Sequence, residues 1–172
     1  MSDVMGALNA KLKGAVDIQK IQDLTKEKLT HILVGFPSGR QHTPAVHEGD
    51  EKKDIEFIET AELAKMLSYG TADIPARPFL EEGLNDQRER LKNALEKEAK
   101  KLVNFKQPNW NKVGSMAVGA IQDFVRSDYY KTNIPNSKAT IERKTVNGKV
   151  GDIPLIDSGD MINSLSFIVE KE

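Results

Sequence analysis

The stretch SYGTADIPARPFL, Ser68 to Leu80, decides how this chain folds. Read in order, it ends one helix, stiffens a linker and starts a second helix. Upstream of it, Thr60 reads as the cap of a helix whose face is Leu63, Ala64 and Leu67, and Gly70 stops that helix. Pro75 and Pro78 each turn the preceding residue away from helical geometry, so the linker is expected to run extended. Pro78 also suits a first helical turn, where its missing N–H costs nothing.

Downstream, Leu80, Leu84, Leu91, Leu95 and Leu102 recur in steps of four and seven, which predicts one long helix with a narrow leucine seam. Arg88, Arg90, Lys92, Glu96, Lys97 and Glu98 read as its solvated face. Gly83 weakens it by roughly 1 kcal/mol relative to alanine, unless close packing needs the space. Pro108 then separates a second helix, with Asn109 as cap and Trp110, Val113, Ala117, Ile121 and Phe124 as its apolar face. Gly114, Ala117 and Gly119 suggest close approach by a neighbour.

Strands are expected on either side. Lys28 to Phe36, with Leu29, Ile32, Val34 and Phe36, is rich in strand formers and ends at Pro37-Ser38-Gly39. Before it, Val4, Leu8, Leu12, Ala15 and Val16 give Asp3–Val16 a helical spacing. After it, Arg40–Asp54 is a polar excursion and Ile55–Phe57 a short return strand. Residues 131–153 read as a long loop or β-hairpin arm, with Asn147-Gly148 turning between Thr140–Thr145 and Lys149–Ile153. A turn at Asp157-Ser158-Gly159 leads to a last strand, Leu165–Val169. The expectation is a single α+β domain over residues 1–172, a small mixed or antiparallel sheet packed against two long helices.

Composition narrows the function classes. With 172 residues, 38% apolar and 30% charged, the chain holds one real core and has neither a disordered nor a membrane composition. A net charge of -1 lacks the basic surplus that phosphate neutralisation calls for, so specific nucleic-acid binding is not expected. The absence of cysteine removes disulfides, thiol nucleophiles and cysteine metal sites. No run resembles a signal peptide or membrane span, which places the expected work in the cytoplasm or in a particle assembled there.

Little in the chain reads as chemistry. Leu155-Ile156-Asp157-Ser158-Gly159 resembles the Asp-Ser/Thr-Gly signature of aspartic proteases, whose two carboxylates share a proton. It occurs once, and 13 residues follow Gly159, too few for the rest of a protease lobe. A tight turn accounts for it. His42, His47 and Glu48 are ligand types for zinc, but a histidine spacing of five is not the helical i, i+4 pair. His31 falls in the first strand. Basic residues in Arg88–Lys101 alternate with Glu89, Glu96 and Glu98, as on a salt-bridged solvated face. No enzyme activity, metal or cofactor is expected.

Two segments together resemble one family. AELAKMLSYGTADIPARPFL, Ala61 to Leu80, resembles the neck and tail-completion proteins of tailed phages, in which an aromatic-Gly-Thr turn precedes Pro-Ala-Arg-Pro-Phe and a long helix. Ser137–Ser164 resembles the related virion-morphogenesis proteins of Mu-like phages. There a Thr-x-x-x-Arg-Lys element precedes Pro-Leu-Ile-Asp-Thr/Ser-Gly; here the first is Thr140-Ile141-Glu142-Arg143-Lys144, one residue shorter between Thr and Arg, and the second is Pro154 to Gly159. The resemblance covers about residues 55 to 169, and its specificity lies in the order and separation of the two segments.

It implies a structural virion subunit, present in the neck or tail region in several copies of itself, six by analogy with tail symmetry. The implied partners are head-closure, tail terminator and tail tube proteins. Interface candidates are Pro75, Arg77, Pro78, Phe79, Tyr129, Tyr130, Arg143 and Lys144. A stiffened Arg77 would lower the ordering cost of an interface, although an intrachain linker explains the same residues. Other readings are a tail terminator or head-closure protein, an assembly chaperone, or a small phage hydrolase using Asp157.

Overall fold

Strands β1, Thr30–Gly35, and β2, Ser166–Lys171, pair antiparallel with Thr30 opposite Lys171 and Gly35 opposite Ser166. They belong to a computed structural model that describes residues 30–42, 58–104, 106–144, 152–156 and 159–171. The two strands form the sheet expected from Ile32, Val34 and the carboxyl-terminal apolar run. The return strand at 55–57, the stripe at 3–16 and the Asn147-Gly148 turn lie outside the described residues. Close to the first of these, Gln41 bridges Glu59, and His42 N donates to Ile58 O at 2.9 Å.

Among the described residues, seven helices accompany the sheet in an α+β arrangement: α1, Thr60–Tyr69; α2, Phe79–Asp86; α3, Arg88–Val103; α4, Trp110–Arg126; α5, Asp128–Asn133; α6, Lys138–Lys144; and α7, Asp160–Asn163. The central element is α4. Its amino terminus is capped as the sequence foretells, with Asn109 Oδ1 accepting from Lys112 N at 3.1 Å. One face of α4 packs on the sheet and another on α2. The contact with the sheet runs through Gly114, where a Cβ would stand 2.2 Å from the Phe167 ring. The contact with α2 runs through Gly83, where a Cβ would stand 2.9 Å from Ile121 Cα. Both glycines therefore set distances between elements, as suspected, whereas Gly119 has open space around it.

The core joins Ala64, Phe79, Ile121, Phe124, Val125, Tyr130 and Met161 with Ile162 and Leu165. Phe79, fully buried, meets Phe36 edge-on at 6.2 Å, and Phe124 meets Tyr130 in the same way at 5.3 Å. Burial of a side chain like Phe79 contributes about 1.5–3 kcal/mol.

Four expectations need correction. The leucine-seamed helix is two helices, α2 and α3, interrupted at Gln87 (φ −104, ψ 18). Asn85 and Asp86, whose side chains compete for backbone groups, precede the break. The re-aimed α3 buries a different face, leaving Leu95 at 43% exposure and hiding Glu98 at 3%. Glu98 is therefore no member of a solvated face. Its Oε2 accepts from Lys101 Nζ at 2.6 Å and from Asn109 N at 2.7 Å. Those bonds hold its carboxyl below the usual carboxylate range, the Asn109 N–H first and the Lys101 ammonium second.

Thr60 is not a cap but the first, fully buried residue of α1, its N–H satisfied by Arg40 O at 2.8 Å. Lastly, the expected loop or hairpin arm begins instead with helices. Ser127 Oγ accepts from Tyr130 N to start α5, and Ser137 Oγ accepts from Thr140 N to start α6. The helix-forming run Lys138-Ala139 and Glu142-Arg143-Lys144 outweighs the strand preference of Thr140 and Ile141.

Candidate interaction surface

Ser68–Leu80 folds back on the helix it ends. Gly70 takes φ 77, and a Cβ there would stand 2.7 Å from Ala76 N, so only glycine fits. Thr71 Oγ1 accepts from Ile74 N at 3.1 Å, and Arg77 N donates to Leu67 O at 2.8 Å. The linker is thus a closed turn pinned at Leu67 and Gly70, more constrained than prolines alone would make it. Arg77 is half-buried, and its Nη2 donates to Pro135 O at 3.5 Å, within its own chain. The guanidinium braces the linker against the end of α5.

The other interface candidates divide by burial. Phe79 and Tyr130 are completely buried core residues, so neither can meet a partner through its side chain. Both aromatics join the core cluster with Phe124 and Ile162, and apolar area wins there. Burial also pushes the Tyr130 phenol well above its ordinary pKa, because the anion would lose its hydration. Tyr129 is 64% exposed and Pro75 is exposed, so these remain available to a partner. Pro78 is half-buried. Lys144 Nζ donates to Ile153 O at 3.0 Å, tying α6 to the following segment. Arg143 lies on α6, with its side chain outside the described residues.

Residues the sequence reading passed over form a more open surface. On the outer face of the sheet Leu33 stands directly opposite Ile168, exposed at 49% and 53%. A cleft of about 450 Å³ runs beside them, and a second of about 380 Å³ lies between α1 and the start of α2. Gly35 and Phe36 line both. The exposed Tyr69 lines the second. A signal for Leu33 existed: if Ile32 and Val34 face the core, strand alternation sends Leu33 outward.

Ionic groups gather at one place. Arg40 Nη2 lies 2.8 Å from Asp160 Oδ1, and His42 Nδ1 lies 3.5 Å from Asp160 Oδ2. This clasp joins the segment after β1 to α7. Asp157, Ser158, His47 and Glu48 lie outside the described residues. Among the described residues, no three His, Asp or Glu side chains gather as a metal site, and no helix is long and apolar enough to cross a membrane.

What the fold and this surface define is a class, a small α+β domain with a glycine-spaced helical core and an apolar outer sheet face. Compared with family models, curated proteins and solved structures, the chain matches none.

Proposed function

We propose that this protein is a structural virion subunit of a tailed phage, a neck or tail-completion component of the ring that connects head and tail. The observation that carries the reading is spatial. The two segments bearing the resemblance, far apart in sequence, enter one core: Ala64 and Phe79 from the first pack with Met161 and Ile162 from the second. A pattern shared by both segments is thereby accounted for as one packed unit.

In this reading, assembly uses surface that the fold leaves apolar. Leu33 and Ile168 on the sheet, with the cleft toward Tyr69, offer one side of a head-to-tail contact; Tyr129 offers apolar area elsewhere. Exposed apolar surface of this kind marks association sites, and a heterologous contact repeated by rotation closes a ring.

The test is mass by light scattering and native mass spectrometry of the full chain, beside the double variant Leu33→Lys, Ile168→Lys. A ring that falls to monomers in the variant, with circular dichroism unchanged, supports the proposal. A protein that stays monomeric at all concentrations and is missing from purified virions refutes it. Its position within virions separates a tail-completion subunit from a tail terminator or head-closure protein.

A further inference from the structure

Two large aromatic side chains stand mostly in solvent, Tyr69 at 80% exposure and Tyr129 at 64%. Tyr69 lines the cleft of about 380 Å³ between α1 and the start of α2, whose walls include Phe36, Pro78 and Leu80. Tyr129 lies on α5, outside that lining. Its ring leans on the buried Phe124, with 6.1 Å between centroids. Phe124 thus braces the exposed ring, which lowers the entropy lost when a partner grips it.

Charge distinguishes the two places and makes them complementary. Lys65 and Glu81 are the charged residues of the cleft lining, and Ser68 adds a hydroxyl. Asp128 and Arg126 flank Tyr129 in the chain. All four charged residues are exposed, and among the described residues none of them enters an ion pair. Arg126 donates to the neutral Asn163 Oδ1 at 3.4 Å. Seating Tyr129 in the cleft can set Asp128 against Lys65 and Arg126 against Glu81. Opposite charges on either side of an anchor fix the register of a contact.

We propose that Tyr129 of one copy enters the α1–α2 cleft of the next, its ring against Phe36, Leu80 and Tyr69, with Asp128 paired to Lys65. A tyrosine can bury about 150–250 Å² in such a contact, and central aromatic anchors carry much of an interface's binding energy. The tyrosine and the cleft are different patches of one chain, so the contact is heterologous and can repeat around a rotation axis. The inference rests on the ring reading for its partner, and it names the second side of that head-to-tail contact.

The full chain is compared with Tyr129→Ser, Lys65→Glu, Asp128→Lys and the double variant Lys65→Glu, Asp128→Lys. Light scattering and sedimentation over a concentration series give the strength of self-association, and circular dichroism checks the fold. Tyr129→Ser is expected to weaken association about thirtyfold or more, as loss of an anchor does. Each charge reversal alone is expected to weaken it about three- to tenfold, and the double variant to return to within about threefold of the wild type. That rescue distinguishes a contact between copies from a damaged subunit. An oligomer indifferent to Tyr129→Ser, or a double variant no stronger than the single ones, overturns the inference and leaves the ring reading standing. A wild-type chain that stays monomeric at all concentrations overturns both.

Discussion

Replacing Gly114 by alanine tests the packing on which the fold turns. The new Cβ would lie 2.2 Å from Phe167 Cδ2 and 2.6 Å from Cγ and Cε2, whereas ordinary contact begins near 3.4 Å. The ring is carried by β2 and has little freedom to retreat, since Phe167 pairs in register with Val34. Overpacking of this severity belongs at the upper end of its range, about 3 kcal/mol. Alanine recovers about 1 kcal/mol of helix propensity in the interior of α4. The balance is a loss of about 2 kcal/mol, or about 4–8 °C in Tm for a chain of this size. The same substitution made in a Phe167→Ala background meets no ring. There it should reverse sign and stabilise by up to about 1 kcal/mol. Urea unfolding of the four proteins gives the double-mutant cycle. A neutral or stabilising Gly114→Ala in the wild type, or the same effect in both backgrounds, refutes the reasoning.

Glu98 supplies a pH dependence. Its carboxyl is held low in the folded state, so its contribution is complete above the unfolded pKa of about 4.3 and disappears as pH falls through the lower folded value. Glu98→Gln should flatten the acid limb of stability between about pH 5 and 2, measured as urea midpoints against pH. Tyr130 acts at the other end: with its pKa raised, stability is complete below the unfolded value of about 10 and falls as pH rises beyond it. Its Oη has no hydrogen-bond partner among the described residues, so Tyr130→Phe should cost nothing at neutral pH and remove that alkaline loss. Gly70→Ala combines a positive φ with a contact on the Ala76 backbone, and should lower stability by about 1–3 kcal/mol in thermal unfolding.

The interaction surface was less legible than the fold. The proline linker drew the eye to Arg77, Phe79 and Tyr130, residues whose types suit an interface. Phe79 and Tyr130 instead complete the core, and Arg77 braces Pro135. Residue type marks what a side chain can do; the neighbouring element decides whether it reaches solvent. The exposure of Leu33 and Ile168 is not legible in the sequence, because it depends on what packs over the outer sheet face, and in the fold both are about half exposed.

What the sequence alone determined were features whose causes lie within a few residues. Gly70 ends α1, Asn109 caps α4, and the apolar alternation marks β1 and the last strand; together these establish an α+β chain. Backbone sterics and local capping bonds act at short range, so a string of residues suffices to read them. Tertiary structure alone decided which side of a helix is buried. The leucine spacing placed Leu95 inside and Glu98 outside, and the bend at Gln87 reversed them. At Gln87 the backbone leaves helical angles (φ −104, ψ 18), which re-aims every side chain beyond it, and packing on α4 helps set where they come to rest.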